Sequence, residues 1–168
     1  MKKIVIFGRS CSGKSSLASL LGKKLNLPVF HMDKLFWLSG WIERDKNEMA
    51  IDVEKILANH DSWVIDGNYK KVALESRINS ADLVIILDFN PFVCTFRALK
   101  RRIIHHNKTR PDMGEGCNEK FDLEFIKYIW NYRKRNLAIT EKVLAKYPEK
   151  TILKFKNQRG LNLWLKNL

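Results

Sequence analysis

Five short apolar runs recur along the chain, and stretches with helical spacing separate them, a pattern that leaves few folds open. Residues 2–7, 27–31, 62–66, 82–88 and 151–155 read as strands, because they are short, rich in β-branched and aromatic residues, and bounded by polar or Gly/Pro positions. Between them, residues 14–25 place Leu17, Leu20, Leu21 and Leu25 on one helical face, and residues 45–60 do the same with Met49, Val53, Ile56 and Leu57. Residues 91–104 open with a proline, as helices often do, and continue as a basic helix. Residues 121–146 read as one long helix and 161–168 as a short terminal one, while 105–120 are polar, contain Pro111, and read as irregular. Alternating strands and helices specify an α/β sandwich of three layers, a parallel sheet with helices on both faces. The fourth run, DLVIILD, is apolar throughout, so both of its faces should be covered. No repeat or linker interrupts the 168 residues, which are expected to form one domain.

The first strand-to-helix junction carries GRSCSGKS at residues 8–15, which fits G-x-x-x-x-G-K-[ST] in the context that pattern requires. Gly8 and Gly13 permit backbone angles that let successive N–H groups converge on phosphate oxygens. The first turn of the following helix adds unpaired N–H groups and the positive end of its dipole. A nucleotide is therefore expected on Gly8, Ser10, Cys11, Ser12, Gly13, Lys14, Ser15 and Ser16. Lys14 would reach the β- and γ-phosphates of ATP, and the Ser15 hydroxyl would ligate Mg²⁺.

Charge widens the choice of partner before its placement narrows it. Lys and Arg number 31 against 18 Asp and Glu, a net charge of +13. Residues 97–168 hold 18 of the basic and 7 of the acidic side chains, so the positive field belongs to the C-terminal half. Such a field attracts nucleic acid, an anionic membrane surface or a small polyanion. No apolar run is long enough to span a bilayer. Cys11, Cys94 and Cys117 are odd in number and widely spaced, which argues against a disulfide framework or a zinc site and for a reduced, cytoplasmic setting. An aromatic content of 11% excludes disorder.

Open α/β sheets bind ligands beyond the C-terminal ends of their strands. The second strand leads there into HMDKLFW and the third into DGNY, giving His31, Asp33, Trp37, Asp66 and Tyr69 as the candidate acceptor set, within a segment at about 31–60. Asp33 suits a general base toward a substrate hydroxyl, or a water-mediated Mg²⁺ contact; the alternative is a helix N-cap. Asp66 has the position of a metal-site carboxylate, with a turn residue in Asp-Gly as the alternative. Trp37, Trp41 and Tyr69 could stack on a ring, although Trp37 equally suits the core. Trp63, Trp130 and Trp164 read as core, as does the stripe Phe125, Ile126, Ile129 and Tyr132. His105 and His106 are adjacent, so on a helix they diverge and cannot pair on a metal.

GRSCSGKSSLA, HMDKLFW, WVIDGNY, ADLVIILDF, KTRPDMGEGC and FDLEFIKYIWNYRKR together resemble the bacterial DNA topology modulation (FlaR-like) proteins, within the adenylate-kinase-like group of P-loop kinases. The resemblance covers essentially the whole chain and implies strand order 2-3-1-4-5, ATP binding and a lid at about 105–120. Cys11 departs from the glycine usual in related loops. Arg97, Arg101 and Arg102 match the R-x-x-x-R-R spacing with which adenylate kinase enters its lid, so Arg97 looks like the adenine-stacking arginine and Arg101 like a phosphate contact. Arg110 then falls in the lid, and Arg133 or Arg135 resemble the returning arginines; a solvated basic face is the alternative for any one of them. Where adenylate kinase carries D-G-F-P-R, this chain has Asp66-Gly67-Asn68-Tyr69-Lys70, which argues against AMP and for a hydroxyl-bearing or nucleoside-like acceptor.

Two functions of different class remain. The first is transfer of the ATP γ-phosphoryl to a small molecule, with Lys14, Asp33, Arg101, Arg110 and Arg133 as catalytic candidates, Ser15 and Asp66 on Mg²⁺, and Arg97 on the nucleotide. The second is an ATP-binding regulatory protein whose basic half contacts DNA. The first is favoured, because the densest basic cluster sits where a nucleotide lid belongs and no nucleic-acid-binding signature is present.

Overall fold

The computed structural model describes residues 2–104, 116–117 and 122–168. β1 (Lys3–Gly8) leads into α1 (Lys14–Leu25), and β2 (Val29–His31) runs directly into a short α2 (Met32–Phe36). A two-stranded hairpin follows, β3 (Trp37–Leu38) with β4 (Ile42–Glu43), then α3 (Lys46–Asn59) and β5 (Trp63–Asp66). After α4 (Leu74–Ser80) come β6 (Leu83–Leu87), α5 (Pro91–Ile104), α6 (Leu123–Trp130), a π-helical turn (Arg133–Leu137), α7 (Ala138–Leu144), β7 (Thr151–Phe155) and α8 (Gln158–Lys166).

The large sheet is parallel, in the order β2-β5-β1-β6-β7. With the separate hairpin left out of the count, its five strands stand in the expected order 2-3-1-4-5. Side-chain alternation along the strands divides the apolar residues between two cores. Val5, Phe7, Trp63, Ile65, Val84 and Ile86 face α2, α3, α4 and α7, while Ile4, Ile6, Val64, Leu83, Ile85 and Leu87 face α1, α5, α6 and α8. β1, β5 and β6 are buried on both faces, so their continuous apolar runs are explained by position. Gly22 marks the tightest helix-to-sheet approach, where a Cβ would stand 2.2 Å from Cγ2 of Val29.

Four elements differ from the sequence reading. α2, the hairpin and α4 are additions, too short to show helical or strand periodicity. The expected long helix over 121–146 is interrupted between α6 and α7. There the Arg9 guanidinium donates to the Ile129 carbonyl and Asn131 Nδ2 to the Lys127 carbonyl, so side chains intrude on the helical ladder where it widens into the π turn. Trp63 is fully buried and Trp164 packs at the core's edge, but Trp130 is 45% exposed and is not a core residue.

Candidate active site

β1 delivers Gly8 beside β6 so closely that a Cβ there would meet the Leu87 carbonyl oxygen at 2.7 Å, and the chain then loops back into α1. Gly13 at φ +96° supplies the left-handed turn before the helix. Cys11 also lies in the left-handed region, at φ 60°, an uncommon conformation for a residue with a side chain. Arg9, inside the loop sequence, points away from it: its buried guanidinium binds the Phe89 and Ile129 carbonyls and Asp88 and lies over the Tyr132 ring. The loop is thereby anchored to the end of β6 and to α6. Lys14 Nζ donates to the Arg9 carbonyl at 3.2 Å, which folds the ammonium over the loop.

The Asp66-Gly67-Asn68-Tyr69 segment touches every part of this region. Asp66, buried at the end of β5, accepts from Ser15 Oγ at 2.9 Å and pairs with His31 Nδ1 at 2.5 Å. Asn68 bonds Gly8 twice, accepting from its N–H at 3.1 Å and donating to its carbonyl at 2.9 Å. Tyr69 donates its hydroxyl to Asp33 Oδ1 at 2.6 Å. The backbone of the segment is held by Arg77, a fully buried cation that donates to the carbonyls of Gly67, Asn68, Tyr69 and Ala73. Burial lowers the pKa of Arg77 to about 9, which leaves it charged at neutral pH.

The structure places the two carboxylates for which sequence left alternatives open. Asp33 lies within α2 rather than capping it, since His31 is the N-cap residue and the Asp33 carboxylate is bound by Tyr69. Asp66 is a strand-end carboxylate joined to the loop, not a solvent-facing turn residue. Ser15 Oγ and Asp66 Oδ2 stand 2.9 Å apart, so the two would be the protein oxygens to hold a Mg²⁺ here. Kinase sites hold that ion with one or two protein oxygens plus phosphates, so the absence of a three-residue acidic or His/Cys cluster among the described residues is compatible with it.

One cavity of about 1400 Å³ runs past Ser15, Asp33, Asn68 and Tyr69, while Asp66 lies buried behind its wall. Ser10, Cys11, Ser12, Gly13, Lys14, Ser15 and Ser16 line it at one end, and His31, Asp33, Trp37 and Tyr69 at the other. Phe36, Trp37, Trp41 and Tyr69 form a chain of edge and tilted ring contacts with centroids 4.9–5.2 Å apart. Trp37 therefore both packs on the core and faces the cavity. Lys46, Lys70, Lys71 and Arg135 add positive charge to the walls.

The lid-side arginines separate. Arg97 bonds the Ser12 carbonyl at 3.1 Å and Gln158 Oε1 at 3.0 Å, and lies over Phe89; Arg101 lies over Phe125 and also faces the cavity. Arg133 does not line it: 64% exposed at the side chain, it forms an ion pair with Asp88 at 3.0 Å, and Arg135 lines the cavity instead. Arg110, His105 and His106 lie outside the described residues, as does most of the expected lid. Arg9, Arg77 and Gln158 were not singled out from sequence. Asn68 was visible only as part of DGNY.

Burial and the neighbouring Asp33 carboxylate raise the Tyr69 pKa, and burial, with Asp88 nearby, raises that of Tyr132. An unfolded chain releases these phenolic protons near the ordinary value of about 10, whereas the folded chain retains them. Their contribution to stability is complete below pH ~10 and is lost above it as the folded chain is forced to ionise. Urea unfolding at pH 8 and 10.5 should show a lower unfolding free energy at the higher pH. Tyr69→Phe and Tyr132→Phe should each reduce that drop.

No protein-family model matches the chain. A protein of Sulfurisphaera tokodaii named "Putative adenylate kinase" is 37% identical over 106 residues, 59% of this chain and 54% of that protein, so the chain spans about half the length of this curated relative. Among solved structures, shikimate kinase from Acinetobacter baumannii in complex with shikimate superposes with a TM-score of 0.61 at 12% identity, covering 99% of this chain and 94% of that one. Deoxyadenosine kinase from M. mycoides with bound dATP gives 0.52 at 15% identity, covering 93% and 91%. At such identities the likeness concerns architecture alone: this chain shares with those kinases an α/β fold in which helices cover both faces of a five-stranded parallel sheet.

Proposed function

We propose that the protein transfers the γ-phosphoryl of ATP to the hydroxyl of a small, ring-bearing acceptor of the nucleoside or nucleotide-like class, as a member of the FlaR-like branch of P-loop kinases. The observation that carries this reading is the Tyr69–Asp33 pair, which faces the same cavity as Lys14 and Ser15. The loop N–H groups, Lys14 and Arg97 bind the triphosphate, and Arg101 stabilises charge on the transferring group. Mg²⁺ bound at Ser15 and Asp66 would neutralise β- and γ-oxygens. The acceptor oxygen attacks the γ-phosphorus, its proton passes to the Asp33 carboxylate, the bond to the β-phosphate oxygen breaks, and ADP leaves. Tyr69, donating to Asp33 Oδ1, orients the base. His31 positions Asp66 by the bond at 2.5 Å. Phe36, Trp37 and Trp41 offer a surface for a planar ring, and Lys46, Lys70, Lys71 and Arg135 suit an acceptor that carries negative charge.

The basic surface is partly committed elsewhere. Lys146 is paired with Glu75 and Lys154 with Glu141, so the positive charge at these two positions is locally offset toward a DNA backbone. The test is acceptor-dependent ADP formation from Mg-ATP over a panel of nucleosides, nucleoside monophosphates and hydroxylated acids. No turnover with any of them, together with duplex DNA binding at physiological salt, would replace the kinase reading with the regulatory one.

A further inference from the structure

α5 is apolar on the wrong side for a surface helix. Cys94 and Ala98 face the core, and Arg97 and Arg101 face the cavity. Phe92, Phe96, Leu99 and Ile103, at spacings of four, three and four, fall on the opposite side, within an arc of about 60° on the helical wheel. A helix of this kind should turn polar residues outward. Here the four are 67%, 67%, 44% and 78% exposed.

α6 extends the patch. It runs antiparallel to α5, because Trp130 meets Phe92 edge-on with centroids 4.7 Å apart and donates to Thr95 Oγ1, whereas Phe125, at its other end, lies under Arg101. That register brings Leu123, 75% exposed, to the level of Ile103, with Trp130 45% exposed at the opposite end.

We propose that this α5–α6 face is the interface of a homodimer. Monomers rarely expose contiguous apolar surface beyond a few hundred Å². Taking ~200 Å² for each aromatic and somewhat less for each Leu or Ile, the exposed fractions of these six side chains come to roughly 700 Å². That is about what each partner contributes to a stable interface of standard size. A seam spaced four-three-four is the pattern that packs against another helix, and two copies of α5 crossing about a two-fold axis would cover each other's seam.

The charge of the chain provides a distinguishing signature. Two copies, each of net charge +13, repel, so an apolar contact between them should tighten as salt rises, whereas an anionic surface would release the protein. Sedimentation equilibrium of the full chain at ~1–100 μM should give twice the chain mass, with a dissociation constant that falls several-fold between 50 and 500 mM NaCl. Phe96→Glu and, independently, Ile103→Glu should shift the protein to the monomer mass with a thermal midpoint no lower than expected for a dissociated dimer and an unchanged far-UV spectrum. A wild-type monomer throughout this range overturns the proposal, as does a dimer that both variants leave intact. Co-sedimentation with vesicles of 30% phosphatidylserine by a protein that stays monomeric would assign the face to a membrane surface instead.

Discussion

Lys14→Ala is expected to lower kcat/KM for Mg-ATP by about 10³-fold or more while leaving the unfolding free energy within about 1 kcal/mol of wild type. Removing one preorganised donor from developing phosphoryl charge costs on the order of 3–4 kcal/mol of transition-state stabilisation. Folding should lose far less. The side chain is only part-buried and donates to the Arg9 carbonyl, which the loop also satisfies through the Ser12 N–H at 3.1 Å. Steady-state ADP release and a urea melt on the same preparation check both halves. Wild-type activity in Lys14→Ala would remove Lys14 from any role in catalysis.

The largest effect on stability should come from a residue that touches no ligand. Arg77→Met would leave the carbonyls of Gly67 and Asn68 without their buried donor, while that of Tyr69 would keep the Val72 N–H at 2.9 Å. Each unsatisfied buried group costs roughly 1–3 kcal/mol, so a loss of about 4 kcal/mol and a fall in Tm of about 10 °C are expected. Arg77→Lys should fall between the two, since one ammonium cannot reproduce a planar fork that reaches several carbonyls. The loss has a functional consequence as well. The freed segment carries Asp66, Asn68 and Tyr69, which contact Ser15, Gly8 and Asp33 respectively. Its backbone is strained, with Tyr69 at φ 27° and Ala73 at φ 44°, and the guanidinium is what holds it there. An Arg77→Met protein within 1 kcal/mol of wild type would contradict this account of the segment.

Arg77 also shows where the sequence stopped being informative. The sheet was legible because a buried parallel strand must be apolar along its whole length, as in β1, β5 and β6, and the phosphate loop because only certain residues can form it. Asp33 and Tyr69 were legible as candidates from their places after two strands, but their contact across the cavity joins residues 36 apart and has no sequence signature. Arginine is ordinarily a surface residue, so nothing in composition or period marks Arg9 and Arg77 as two of the most deeply buried side chains. Their partners are backbone carbonyls, which every sequence contains. Arg133 and Arg135 illustrate the same limit: two residues apart on a returning helix, they were interchangeable by spacing. The π turn and the position of Asp88 decide that Arg135 lines the cavity. Trp130 misled because apolar side chains at helical spacing look alike whether they face their own core or another surface.

The most direct measurement is transfer of label from γ-³²P ATP into an acceptor, with wild type and Asp33→Asn assayed side by side and ATP affinity measured on both. The expected result is label in at least one ring-bearing hydroxyl acceptor with wild type, a rate 10² to 10⁴ lower in Asp33→Asn, and ATP dissociation constants within about two-fold of each other. Transfer by Asp33→Asn at the wild-type rate would contradict the assignment of the base. Failure of wild type to label any acceptor in the panel would contradict the proposed phosphotransfer itself.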